Sequence, residues 1–214
     1  MKIIVPSLHR AGISNSMKWL REANRSIYFA IHADEVEDYK KAYPDIPALI
    51  LSDDCRHHTG LVRKEIMQQI REPFFFVDDD IRISLKVIPS ICAIFDLLAV
   101  RNKFLATVCG IDPVIFDNCP LEQLPVYEDV ALVIHAIQSG GGTIVSYVAT
   151  HNNVSAPGGG CNLWRNKEIT VKSLETLVKL YPDVCSIRET ANTTHSQYIG
   201  IGLRVAWSKI RKLS

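Results

Sequence analysis

Four large apolar residues in a row, Phe74-Phe75-Phe76-Val77, run directly into three aspartates, Asp78-Asp79-Asp80. A strand without polar alternation needs cover on both faces, which a parallel sheet between two helical layers supplies. The run therefore predicts a central strand over Pro73–Val77, with three carboxylates standing at its carboxyl end. The chain before it agrees. Lys2–Pro6, Ser26–Ile31 and Ala48–Leu51 read as further strands. Between them, helices are expected from near Ser14, over Asp34–Tyr43, and over Thr59–Ile70 with Thr59 as its cap. Such alternation predicts an α/β fold with a mostly parallel central sheet flanked by helices, and ligands at the carboxyl ends of the strands.

The second half is less regular. A helix is expected over Ile88–Val100, a strand over Phe104–Cys109, and a helix over Tyr127–Gln138 ended by Gly140-Gly141-Gly142. A strand over Thr143–Ala149, a helix over Thr170–Leu180 and a closing helix over Leu203–Ile210 follow. With 214 residues and no repeat, linker or low-complexity tract, one domain over 1–214 is expected.

Composition narrows the function classes. The longest apolar stretch, Val87–Val100, contains Asp96 and is too short to span a bilayer, and the opening through Pro6 lacks the long apolar region of a signal peptide. No membrane partner is expected. The six cysteines form no C-x-x-C pair, so they read as reduced thiols of a cytoplasmic protein rather than zinc ligands or disulfides. A formal net charge of +1 excludes a strongly basic protein but leaves room for a local basic face.

Three adjacent carboxylates repel one another. A hard divalent cation, Mg²⁺ or Mn²⁺, relieves that repulsion and leaves positions for phosphate oxygens. The plainer alternative is a capped turn with no ligand, for which one Asp would suffice. Glu128-Asp129 opens a helix, where acidic residues complement the dipole. The same position allows Asp129 to accept a proton from a nearby hydroxyl. Gly158-Gly159-Gly160 is costly to order, so it is either a close approach to a ligand or a flexible connector. His57 and His58 read as loop residues, and His195 by itself as a surface residue.

At these residues the chain resembles the GT-A glycosyltransferases. The strand ending in Asp78-Asp79-Asp80 is similar to their D-x-D metal motif, with Gly60 and Arg63 on the preceding helix at the matching spacing. Lys64 stands where Asn is common. Ile4-Val5-Pro6-Ser7 with Arg10 resembles the first donor-binding strand and loop, and Asp34 occupies the place of an acidic residue that meets the nucleoside. Glu128-Asp129 resembles the x-E-D helix of inverting members. The resemblance implies a single GT-A (Rossmann-like) domain and an inverting, metal-dependent transfer. Asp78, Asp80 and His195 would hold Mg²⁺ or Mn²⁺. Pro6, Ser7, Arg10, Asp34, Arg63, Asp78 and Asp79 would hold a nucleotide-sugar donor, a UDP-sugar first among the candidates. Asp129 would be the base, with Glu128 beside it.

In size and pattern the whole chain is similar to compact glycosyltransferases encoded by bacteriophages beside TET-like oxygenases. That resemblance implies DNA containing a hydroxymethylated pyrimidine as acceptor, and a host-cytoplasmic setting. Gly159, Gly160, Asn162 and Trp164 are the acceptor candidates. Lys and Arg outnumber Asp and Glu from Arg165 onward, including Arg165, Lys167, Lys172, Arg188, Arg204, Lys209, Arg211 and Lys212. This permits a basic acceptor face. A glycan or protein acceptor is the alternative. A nucleotidyltransferase would need a denser phosphate loop than Leu8-His9-Arg10-Ala11-Gly12, and a binding module has no use for two separate acidic clusters.

Overall fold

The structure, a computed structural model, describes residues 2–21, 26–85, 98–100, 108–140, 144–146, 149–153, 164–189 and 200–210. In chain order the strands are Lys2–Pro6 (β1), Ile27–His32 (β2), Ala48–Leu51 (β3), Phe74–Val77 (β4), Ile81–Leu85 (β5), Leu98–Val100 (β6), Val108–Ile111 (β7), Ile144–Ser146 (β8), Ala149–Asn153 (β9), Cys185–Glu189 (β10) and Ile201–Val205 (β11). The α-helices are Met17–Leu20 (α1), Val36–Ala42 (α2), Thr59–Gln69 (α3), Glu128–Gln138 (α4) and Lys167–Leu180 (α5).

The central sheet has the order β3-β2-β1-β4-β7; its first four strands are parallel and β7 closes one edge antiparallel. The apolar run of β4 divides between the two faces. Phe74 and Phe76, both 0% exposed, join the core formed with α3 and α4, whereas Phe75 and Val77 pack with Met17, Leu20, Tyr39 and Tyr43 on the other face. Burying each such side chain fully contributes about 1.5–3 kcal/mol. β1 divides in the same way, with Ile4 on the first face and Ile3 and Val5 on the second. Helix α4 is buried nearly all round, from Val130 to Ile134, as a helix enclosed by a core must be.

Several expectations are corrected. Leu98–Val100 is a strand paired antiparallel with Ile144–Ser146, not the end of a helix; residues 86–97, which carry the rest of that expectation, lie outside the described residues. The strand expected over Thr143–Ala149 is two strands, β8 and β9, with different partners. Leu203 belongs to β11, antiparallel to β10, and only the short turn Trp207–Lys209 is helical, so there is no closing helix over Leu203–Ile210. The branched residues Ile201, Leu203 and Val205 recur at the period of two that suits a strand. His58, not Thr59, caps α3: its ring accepts from the Leu61 N–H at 3.0 Å. Helix α5 starts earlier than expected, behind an Asn166 side chain that accepts from the Ile169 N–H at 2.9 Å. No helix among the described residues is long and apolar enough to cross a membrane.

Candidate functional site

The chain leaves β1 towards β2 and β3 on one side, and returns through α3 to β4 on the other. β1 and β4 therefore border the point where the strand order reverses, and the crevice beyond their carboxyl ends is where open α/β sheets bind ligands. Ser7 follows β1 there and Asp78-Asp79-Asp80 follows β4.

The three aspartates differ. Asp79 is 5% exposed and turned inward. Its carboxylate accepts from the Ser7 hydroxyl and from Arg10 Nη1, both of them buried groups. Tyr39 of α2 completes the cluster by donating to Ser7 Oγ at 2.6 Å while accepting from the Arg10 N–H at 3.3 Å. Burial raises the Asp79 carboxyl, and Ser7 and Arg10 oppose that rise. Two further serines hold the backbone of the turn. Ser14 donates to the Asp79 carbonyl at 3.0 Å; Ser16 donates to the Asp78 carbonyl and accepts from the Ile81 N–H at 3.1 Å.

Asp78 and Asp80 are only partly buried. Arg10 reaches Asp80 at 3.4 Å, while no described group hydrogen-bonds the Asp78 carboxylate. Burial pushes the Asp78 carboxyl up to about 7; Asp80, Asp79 and Glu128 add to the rise and Arg63 opposes it. Among the described residues no group of three His, Cys, Asp or Glu side chains is gathered for a metal. Two hard carboxylates in a field this negative nevertheless suit a Mg²⁺ or Mn²⁺ ion that takes its other ligands from phosphate and water.

The second acidic pair is built from α3 and α4. Gly60 lets α3 press against the segment before α4: a Cβ there would run into the carbonyl oxygens of Leu121 and Leu124. Thr59 Oγ1 and Arg63 Nε then reach Glu128 at 2.9 and 3.0 Å, and the guanidinium lies 5.0 Å from the centre of the Phe76 ring. Glu128 is thereby occupied. Asp129 beside it is partly buried, and burial, with the Glu128 charge adding, pushes its carboxyl up to about 6. Arg63 and Glu128 act electrostatically on Asp78 and Asp129 alike, so both carboxyls lie within electrostatic reach of the Arg63–Glu128 pair.

Trp164 stacks on His57, with ring centres 6.0 Å apart and planes inclined by 24°, and the charge of Arg165 acts on Asp129 and Tyr127. His9, His57 and Tyr127 are the non-glycine residues with positive φ among those described; His57 lies under Trp164, Tyr127 precedes Asp129, and His9 lies beside Glu35. Each costs on the order of 1–3 kcal/mol, strain that concentrates at functional sites.

Asp34 faces outward at the end of β2, with its side chain 60% exposed and paired to Arg56 at 2.7 Å. The inward carboxylate is the next residue, Glu35, which accepts from the His9 and His32 N–H groups. Glu35, His9, Tyr39 and Lys41 line a cleft of about 540 Å³ beside the β1 loop. Glu35, Tyr39, Ser14 and Ser16 are thus residues of the candidate site that sequence reasoning missed. The available signal was a register: Glu35 and Tyr39 stand four apart, on one helix face. Pro6 ends β1. Gly159, Gly160, Asn162 and His195 lie outside the described residues. Asn153 pairs with Ile81, which carries the chain before the glycine loop to the edge of the acidic turn. Comparison with known proteins adds no relative: no protein-family model matches the chain, and no curated protein matches it significantly.

Proposed function

We propose that the chain is an inverting, metal-dependent glycosyltransferase of the GT-A type. It moves a sugar from a nucleotide-sugar donor to a hydroxymethylated pyrimidine in DNA. The observation that carries the reading is the Arg63–Glu128 ion pair, which has both Asp78 and Asp129 within its electrostatic reach. One acidic group there suits a diphosphate-bound cation, and the other, proton-accepting near neutral pH, suits a hydroxyl nucleophile.

In this mechanism the donor nucleoside occupies the cleft beside Glu35 and His9, with its diphosphate towards the acidic turn. Asp78 and Asp80 are the residues that would hold Mg²⁺ or Mn²⁺. Such an ion, when bound, offsets the charge that grows on the departing diphosphate. Asp129 accepts the acceptor's hydroxyl proton as its oxygen bonds to the anomeric carbon. The bond from that carbon to the diphosphate breaks on the opposite face, releasing a nucleoside diphosphate and inverting the configuration. Glu128, held by Thr59 and Arg63, fixes the helix turn that presents Asp129. Trp164 and the exposed Arg165 and Lys167 support an acceptor with a planar ring and a phosphate backbone.

The deciding measurement is transfer from labelled nucleotide sugars, in Mn²⁺, to DNA with and without hydroxymethylated pyrimidines. Label in the modified DNA alone is the expected result. Donor hydrolysis without DNA labelling would keep the transferase chemistry and move the acceptor to a glycan or protein. Neither product from any donor would end the reading.

A further inference from the structure

We propose that Asp79 is the positioning residue of the acidic turn: anchored to Ser7 and Arg10, it fixes Asp78 and Asp80 where a divalent cation meets them. The inference rests on the reading that these two carboxylates hold the metal.

The middle aspartate is set apart from its neighbours on every count. Its side chain is 6% exposed, and each of its two oxygens has a donor, the Ser7 hydroxyl on one and Arg10 on the other. Its carbonyl is held twice, by the Ser14 hydroxyl at 3.0 Å and the Ser16 N–H at 3.2 Å. The network extends through Ser7 to Tyr39, whose ring is packed on Phe29 with centres 4.9 Å apart. A turn tied this firmly at its centre has little freedom at its flanks, so Asp78 and Asp80 are presented together. Arg10 is also shared, at 3.4 Å from Asp80. With the Asp79 charge removed, the buried Arg10 guanidinium still attracts Asp80 and draws it away from the metal. Partners that orient a ligating carboxylate typically contribute about 10–100-fold to metal affinity.

The test is a Mn²⁺ titration of the full chain without donor, following free Mn²⁺ by electron paramagnetic resonance, with a thermal melt of each variant. Asp78→Asn and Asp80→Asn should nearly abolish binding. Asp79→Asn should weaken it about 10–100-fold. Tyr39→Phe, which removes one oxygen and keeps the aromatic packing, should weaken it by less, in the same direction. If Asp79→Asn does not fold, Ser7→Ala and Tyr39→Phe carry the comparison. Wild-type affinity in Asp79→Asn, or in both milder variants, overturns the inference. So does an Asp79→Asn loss as complete as that of Asp78→Asn with Tyr39→Phe unchanged, because Asp79 would then be a ligand. Failure of the wild-type chain itself to bind Mn²⁺ removes the metal reading first, and is distinguishable from either result.

Discussion

Arg63 Nε donates to Glu128 Oε1 at 3.0 Å, joining the third helix to the first turn of the fourth across a sequence separation of 65. The two side chains are 14% and 9% exposed, so neither has much water to fall back on. The pair ties the helix that carries Asp129 to α3, and Arg63 tempers the charge on both Asp78 and Asp129.

Removing one partner of such a pair strands the other. Arg63→Met should therefore destabilise the protein by roughly 3–5 kcal/mol, read as a fall in the urea midpoint. Glu128→Gln keeps an acceptor for Thr59 and should cost less. An unchanged midpoint in Arg63→Met would mean that the pair is not desolvated.

Asp129 must be ionised to accept a proton, and its carboxyl is raised to about 6. Transfer should therefore rise with pH on a step centred near 6, being low where the acid form dominates. Asp129→Asn should lower transfer by about 10²–10⁴-fold and abolish the step, with donor affinity by calorimetry retained. A variant that loses donor affinity instead would put Asp129 in the donor site. The same group has a stability consequence of opposite sign. A carboxyl whose folded pKa lies above its ordinary value binds more protons folded than unfolded, so its contribution weakens as pH rises from about 4 to about 6.

Gly60 is the point of closest approach between α3 and the segment leading into α4. Gly60→Ala places a methyl against two backbone carbonyls, which cannot swing aside as a side chain would. Overpacking of this kind costs about 1–3 kcal/mol, and a thermal melt should show it. Because the shift displaces Thr59 and Arg63 from Glu128, transfer should fall together with stability.

The exposed Arg165 and Lys167 follow Trp164 in the chain and belong to the proposed acceptor face. If they meet DNA phosphates, replacing both with Gln should reduce the slope of log affinity against log salt by up to about 2. Mn²⁺ binding should be unaffected. An unchanged slope would place the phosphate contacts elsewhere on the protein.

The central sheet was legible in the chain because its signals are local. Phe74–Val77 has no polar alternation and so had to be a covered strand, and the apolar runs at Lys2–Pro6 and Ala48–Leu51 are too short to be anything else in that setting. The aspartates that follow, and the Glu128-Asp129 pair, were visible for the same reason. The later strands were not. Leu98–Val100 is too short to declare a period, the alternation over Ile201–Val205 is a signal that the helical reading passed over, and both pair with partners, Ile144–Ser146 and Cys185–Glu189, that local sequence does not specify.

The division of labour within the acidic residues was likewise a tertiary decision. Residue type alone does not separate Asp78, Asp79 and Asp80, and the resemblance that singled out Asp34 passed over Glu35. Only packing turns Asp79 onto Ser7 and Arg10, sends Asp34 out to Arg56, and draws Glu35 in beneath His9. The physical reason is desolvation: a buried carboxylate persists only where donors converge on it. Here those donors come from positions up to 72 residues away.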